Sequence, residues 1–269
     1  MIFFLTSHSL WLSATLIVVL PTILAALGPS VVRRYVKLEK LVINNEIAGF
    51  KFATIGVLYA VLLAFATIVV WQKLADADVN VTGEAAGATT IYRLSQGLNQ
   101  QSAIALREGM SNYLTVAINR EWPAMARGAT GDYQPTRLAL DAVYSTLLSS
   151  QPSTPREAAV LPEILRQLGM ITQARRARLI AADGIVPDVM WPVLFLGAIV
   201  TIVFTFFFGT QNLRAQTMMT VLLALLIFSE LLIIIAVDYP FAGPVKVEPT
   251  ALARVLTDFD PAAASRLAR

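Results

Sequence analysis

NNEIAGFKFATIGVLYAVLLAFATIVVW, residues 44–71, contains the stretch on which the fold turns. From Phe52 to Trp71 no residue is charged. A helix of about 20 apolar residues is what roughly 30 Å of hydrocarbon requires. Three further windows have this character. Residues 10–27 are uncharged but interrupted by Pro21, and residues 189–209 are uncharged with Pro192 in the first turn, where proline is tolerated. Residues 217–237 hold a single charge, Glu230. Buried helices of a soluble protein are the rival explanation, and four windows of this length argue against it. A cleaved signal peptide needs a positive leading region. Residues 1–9 contain no Lys or Arg, and Pro29 follows the only small-residue stretch, so the first window reads as a retained helix. The predicted fold is all-α: an integral membrane protein of four transmembrane helices, with both termini on one side.

The composition agrees. Of 269 residues, 56% are hydrophobic and 14% charged, with mean hydropathy +0.64. Soluble domains carry about 25% charged residues. There is no Cys and one His, His8, which excludes disulfides, thiolate chemistry and a His-rich metal site, and argues against a Ser-His-Asp triad. A net charge of +3 without a long basic run argues against nucleic acid as a partner.

Residues 72–188 differ from the rest, with 11 Lys plus Arg and 11 Asp plus Glu. Ala, Leu, Gln and Arg dominate, which favours helix. Periodic runs over 73–98, 101–120, 136–149 and 156–182 predict a helical extramembrane domain. Pro123 and Pro162 start or kink helices, and Thr154 ahead of Pro155 and Glu157 marks a helix start. The organisation is then 1–71, first helix pair; 72–188, helical domain; 189–237, second pair; 238–269, a tail with one short helix near residues 249–256. Lys and Arg near the spans number six on each side, so the positive-inside rule does not orient the chain.

Several residues carry functional weight. Gly49, Ala53, Gly56, Ala60 and Ala64 form a small-residue face on the second span, which permits close helix approach in lipid. Ile55, Tyr59, Leu62, Ala66 and Val69, continuing from Phe52, form a second stripe. It either lines a pore, as an apolar constriction that gates by dewetting, or meets lipid and other helices. Glu230 is a carboxylate inside a span, an arrangement that marks an ion contact, a proton site or an ion pair. Otherwise it is a hydrogen-bonded acid joining helices. Its candidate hydroxyl partners include Thr201, Thr205, Ser229 and Thr67. Glu46 and Lys51 before the second span, and Asp76 and Asp78 after it, would form charged rings in an oligomer, or else are solvated anchors. Trp71, Trp191 and Tyr239 fit aromatic belts. Asp238, with Pro240 and Gly243, forms a surface turn where a regulatory ion could sit. No Walker A loop, HExxH or GxSxG motif is present, and no catalytic constellation, cofactor site or metal cluster is visible.

Residues 44–71 strongly resemble a bacterial membrane family described as bestrophin-like. The likeness continues at EWPAMARG, Glu121 to Gly128, resumes over residues 191–220, and ends at DYPFAGPVKVEP, Asp238 to Pro249. True bestrophins share the four-helix plan and an Asn-Pro-Phe-Gly after the last helix, followed by an acidic calcium cluster. Here Pro240, Phe241 and Gly243 match loosely, with Ala242 inserted, and Pro244, Val245 and Lys246 stand where acids are expected. The resemblance implies a homo-oligomeric ion channel of the inner membrane, with the pentamer as precedent. Its partners would be the lipid bilayer, further copies of itself and inorganic ions. The second helix would supply the neck of the pore, and the inserted domain and both termini would be cytoplasmic. A non-conducting sensor or scaffold, whose helical domain binds a protein partner, and a secondary transporter are the alternatives. The transporter would need inverted repeats and matched helix breaks. Pro21 has no counterpart in the second half.

Overall fold

The computed structural model describes residues 10–128 and 133–260, so His8 falls outside it. Every regular element among the described residues is a helix. They form two compact units. One unit comprises the chain up to residue 72 together with 184–239 and 243–245; the other comprises 73–183, 240–242 and 246 onward.

The apolar unit is built from three long stretches and one shorter one. Helix α1 runs Leu10–Tyr35, α2 is a short turn at Leu38–Ile43, α3 is Asn45–Ser95, α7 is Met190–Thr205 and α8 is Leu213–Val237. Three of these, α1, α3 and α8, are long and apolar enough to cross a bilayer. Pro21 was expected to interrupt the first span, and it does not. A π turn at Thr15–Val19 immediately precedes it, and the Leu20 N–H bonds back to the Thr15 carbonyl. This local rearrangement carries the helix past the proline. The window 189–209 yields a helix of only 16 residues, about 24 Å at 1.5 Å per residue. It ends where the Thr205 hydroxyl bonds the Ile202 carbonyl, and the chain turns at Phe206.

Close approaches fix the packing of this unit. A Cβ built on Gly197 of α7 would lie 2.4 Å from the Tyr59 ring of α3. The Tyr59 hydroxyl donates to the Leu194 carbonyl one turn earlier, at 2.9 Å. On α1, a Cβ on Gly28 would lie 2.2 Å from the Phe206 ring. The α7–α8 loop is held from two sides. Asn45 exchanges hydrogen bonds with both backbone groups of Gly209, at 2.6 and 2.8 Å. Arg33 donates to the Thr210 carbonyl and to Gln216 Oε1.

The second unit contains the later part of α3 and four more helices. Helix α4 (Gln100–Val116) continues through a π turn (Ala117–Glu121) into a last turn at Trp122–Ala126 that starts with Pro123. Then come α5 (Gln134–Ser149), α6 (Pro155–Ala181) and, after α8, the C-terminal α9 (Thr250–Phe259). The separate helix expected over 73–98 is the continuation of the second span, one 51-residue helix. The core holds Ala77, Val81 and Ile91 of α3, Leu106, Met110 and Tyr113 of α4, Val143 of α5, and Leu168 and Ile171 of α6. Phe241, Val247, Leu252 and Leu256, from beyond α8, complete it. Residues after 237, expected to form a separate tail, therefore supply part of this core.

Helix α6 starts as its sequence predicts. Thr154 Oγ1 accepts the Glu157 N–H at 3.2 Å, and Glu157 accepts the Ser153 N–H and hydroxyl at 2.7 and 2.9 Å. The Ser153 hydrogen bonds hold the Glu157 carboxyl below the usual glutamate range. A depressed acid contributes stability above its unfolded pKa and loses it as pH falls through its folded value. Thr154→Ala is expected to cost about 1 kcal/mol, read as a lower midpoint in thermal unfolding. No change in the midpoint would dismiss the cap.

Candidate functional site

The apolar half of α3 presents two unlike faces. Tyr59, Leu63, Ala66 and Val70 are buried within the unit. Opposite them Val57, Val61, Phe65 and Ile68, spaced 4, 4 and 3, stay uncovered at 49–66% exposure. Only 17% of the apolar window of α3 is buried, against 50% in α8. No helix among the described residues covers that face.

The stripe singled out in the sequence divides accordingly. Tyr59 and Ala66 are on the packed face, with the Tyr59 hydroxyl committed to Leu194, so they look into the subunit. Ile55 and Leu62 are half-buried at the edge, and Val69 is exposed. The small-residue face is uncovered too. Ala53, Ala60 and Ala64 are exposed, and a Cβ on Gly49 or Gly56 would meet nothing within 4 Å. No helix among the described residues approaches closely along it. Glu46, Lys51, Asp76 and Asp78 are all exposed, and Asp76 forms a surface pair with Lys73 at 3.7 Å.

Glu230 finds its partner on α3. Thr67 donates to its Oε1 at 2.6 Å, joining α8 to the back of the uncovered helix. The threonines expected to assist it do not. Thr201 bonds the Gly197 carbonyl, and Thr205 bonds its own helix and lies 3.3 Å from the Thr220 hydroxyl. Helical threonines satisfy themselves this way because the backbone carbonyl one turn back lies within reach. Thr67→Val is expected to loosen the unit by about 0.6–1.7 kcal/mol, the range of such bonds in membrane bundles. Glu230→Gln retains an acceptor for Thr67 and should leave assembly intact; a Glu230→Gln protein that fails to fold would show that the charge itself is structural.

Asp238 accepts the N–H groups of Ile185 and Val186, at 3.1 and 2.7 Å. Burial raises its pKa despite these bonds, and nearby Asp188 adds to the shift. Its oxygens thus pin the chain ahead of α7. No group of three or more metal-ligating side chains occurs among the described residues.

Sequence reasoning missed a buried ionic chain in the second unit. Arg178 Nε lies 3.0 Å from Glu84 Oε2, and its Nη2 lies 2.9 Å from Glu121 Oε2. Arg175 Nη2 lies 2.6 Å from Glu121 Oε1 and donates to the Tyr133 carbonyl. The Tyr113 hydroxyl donates to Glu84 at 2.5 Å, and the Arg178 guanidinium lies 4.8 Å from the centre of the Trp122 ring. Burial and the adjacent Glu84 carboxylate push the Tyr113 phenol well above its ordinary range. Burial acts to lower the pKa of Arg178, and the two carboxylates outweigh it and raise it. Glu121 and Trp122 open the EWPAMARG motif, which was the available signal.

The Bestrophin-like domain family matches residues 16–252, which takes in nearly all of both units. The chain belongs to the bestrophin-like family. Solved structures agree on the fold. One is a point variant of a bacterial bestrophin homologue from Klebsiella pneumoniae, at TM-score 0.68 and 12% identity over 88% of this chain and 97% of that one. A second variant of that homologue gives 0.64 at 13% identity, with 88% and 97% covered. A structure described as a membrane protein gives 0.65 at 12% identity, with 91% and 97% covered. No curated protein matches in sequence. The family and the several apolar helices, three of them long and apolar enough to cross a bilayer, agree with a multi-pass membrane protein.

Proposed function

We propose that this bestrophin-like chain is one subunit of a homo-oligomeric ion channel of the bacterial inner membrane, each copy turning the uncovered face of α3 toward a central path. The observation that carries this reading is the division of α3 itself. One face is locked to α7 and α8 through Tyr59 and Thr67, and the opposite face, Val57 to Ile68, is apolar and bare. Repeated around an axis, that stripe makes a narrow apolar constriction, which passes ions only when wetted. The neighbouring small-residue face, Gly49 to Ala64, allows adjacent copies to approach closely. Glu46 and Lys51 at one end of the stripe, and Asp76 and Asp78 at the other, become rings of charge that bias which ions enter.

Four crossings suit this reading. Residues 73–183 and 246–256 share one hydrophobic core. In this reading the chain between them leaves and returns on one side, with the strongly apolar α8 crossing and the shorter α7 as its partner. In the family precedent that side is the cytoplasm.

Purified protein reconstituted in liposomes tests the reading. A closed symmetric ring, together with ion leak absent from empty vesicles, is the expected result. A monomer, or vesicles that stay tight to both chloride and potassium, would remove the channel.

A further inference from the structure

Helices α1 and α8 pack against each other, and each buries one face: Thr22, Ala25 and Pro29 on α1, Thr220, Ala224 and Ile227 on α8. Each also leaves an apolar stripe uncovered. On α1 it is Leu24, Leu27 and Val31, and on α8 it is Met218, Leu222 and Leu226, all 53–69% exposed. Both helices are long and apolar enough to cross a bilayer, so these stripes meet acyl chains.

At one shared end, both stripes stop at a guanidinium. Arg34 follows Val31 by three positions and Arg214 precedes Met218 by four, so each continues the line of its stripe. The two helix ends are joined there. Arg33 donates to the Thr210 carbonyl just ahead of α8 and to Gln216 Oε1 on it. Arg33 is thus committed to the fold. Arg34 and Arg214 are exposed, and their side chains have no hydrogen bond or ion pair among the described residues. Lys37 and Lys40 are exposed and equally unpaired, with Tyr35, 82% exposed, beside them. Glu39 is the one carboxylate in residues 30–43.

The helix dipole explains only half of this pattern. Arg34 lies in the last turn of α1, where a cation is favoured. Arg214 is the second residue of α8, where the dipole is positive and a cation is disfavoured. A cation at that place, at the foot of a lipid-facing stripe, calls for an anion from outside the chain. Guanidinium forks match phosphate oxygens, and bonds to them are charge-assisted.

We propose that this end holds the headgroup of an anionic phospholipid, its phosphate taken by Arg34 and Arg214 with Lys37 and Lys40 around it, and its acyl chains along the two stripes. A zwitterionic lipid has the same phosphate, but its own cation cancels the attraction. One headgroup held by both helices reinforces from outside the junction that Arg33 makes from within. The inference requires a bilayer and not conduction, so it stands or falls apart from the channel reading.

Native mass spectrometry of the full-length protein tests it. The protein is released from detergent micelles containing phosphatidylglycerol and phosphatidylcholine in equal amounts, and the lipid that stays bound is read directly. Retention of phosphatidylglycerol over phosphatidylcholine by about tenfold or more is expected. Each cation near an anionic headgroup is worth about fivefold in affinity. Arg34→Gln combined with Arg214→Gln should therefore weaken phosphatidylglycerol by about thirtyfold and leave phosphatidylcholine unchanged. Lys246→Gln, which removes an exposed cation of the other unit, should leave the preference as it was. Equal retention of the two lipids overturns the proposal, as does a preference that survives the double substitution. Glu39→Gln supplies a second reading should the double variant fail to fold. Removing that carboxylate should tighten phosphatidylglycerol about fivefold, and no tightening overturns the proposal.

Discussion

Arg178→Ala is expected to destabilise the second unit by about 3–5 kcal/mol. The substitution leaves the fully buried Glu84 without the cation that lies 3.0 Å from it, while Glu121 loses one of its two and keeps Arg175 at 2.6 Å. Tyr113 cannot replace it, because its single proton already serves Glu84. A domain's whole stability is typically about 5–15 kcal/mol, so this one change removes about a fifth or more of it. Thermal unfolding or limited proteolysis of the purified protein reads the loss. Arg178→Lys should recover only part of it, since one ammonium cannot span two carboxylates as the guanidinium fork does. An Arg178→Ala protein that melts within a degree or two of the wild type would show that water or a shifted side chain replaces the cation, and would remove the ionic chain as a structural element.

The second large effect is expected on ion flux. Val61 and Phe65 lie near the middle of the bare stripe of α3, at 49% and 66% exposure. Changing both to Ser gives the constriction hydroxyls that hold water, and each 1.4 kcal/mol removed from the barrier raises flux about tenfold. The double variant should therefore leak at least about tenfold faster in liposomes while melting normally. Leu63→Ser, on the packed face, should behave in the opposite way, losing stability without gaining leak. If the two substitutions exchanged their effects, the axis-facing side of α3 would be misassigned. If neither altered flux, α3 would not line the path at all.

These predictions separate what was legible in the sequence from what was not. The uncharged windows were legible because hydrocarbon imposes a length and a composition that few soluble helices share. The start of α6 was legible because Thr154, Pro155 and Glu157 act on their own backbone, within one turn. The division of α3 into two faces was only partly legible. Periodicity shows that α3 has faces, and only the positions of Gly197 and Leu194 show that Tyr59 belongs to the inner one. Pro21 misled for a similar reason. The sequence shows that a donor is missing but not that a π turn just before it absorbs the change. The ionic chain was illegible because Glu84 and Arg178 stand 94 positions apart. Each looks like an ordinary solvated charge on a helix until the fold brings them together.

The discontinuous make-up of the second unit bears on how the protein is made. Its core takes Phe241, Val247, Leu252 and Leu256 from beyond α8. Translation supplies residues in order, at about 5–20 per second. When residue 183 leaves the ribosome, α4, α5 and α6 exist but the core still lacks these side chains. The nascent domain must wait, incomplete, until α7 and α8 have been synthesised. Closure of the domain then reports that translation has passed α8, and a protease that attacks the open form removes chains that stop short of it.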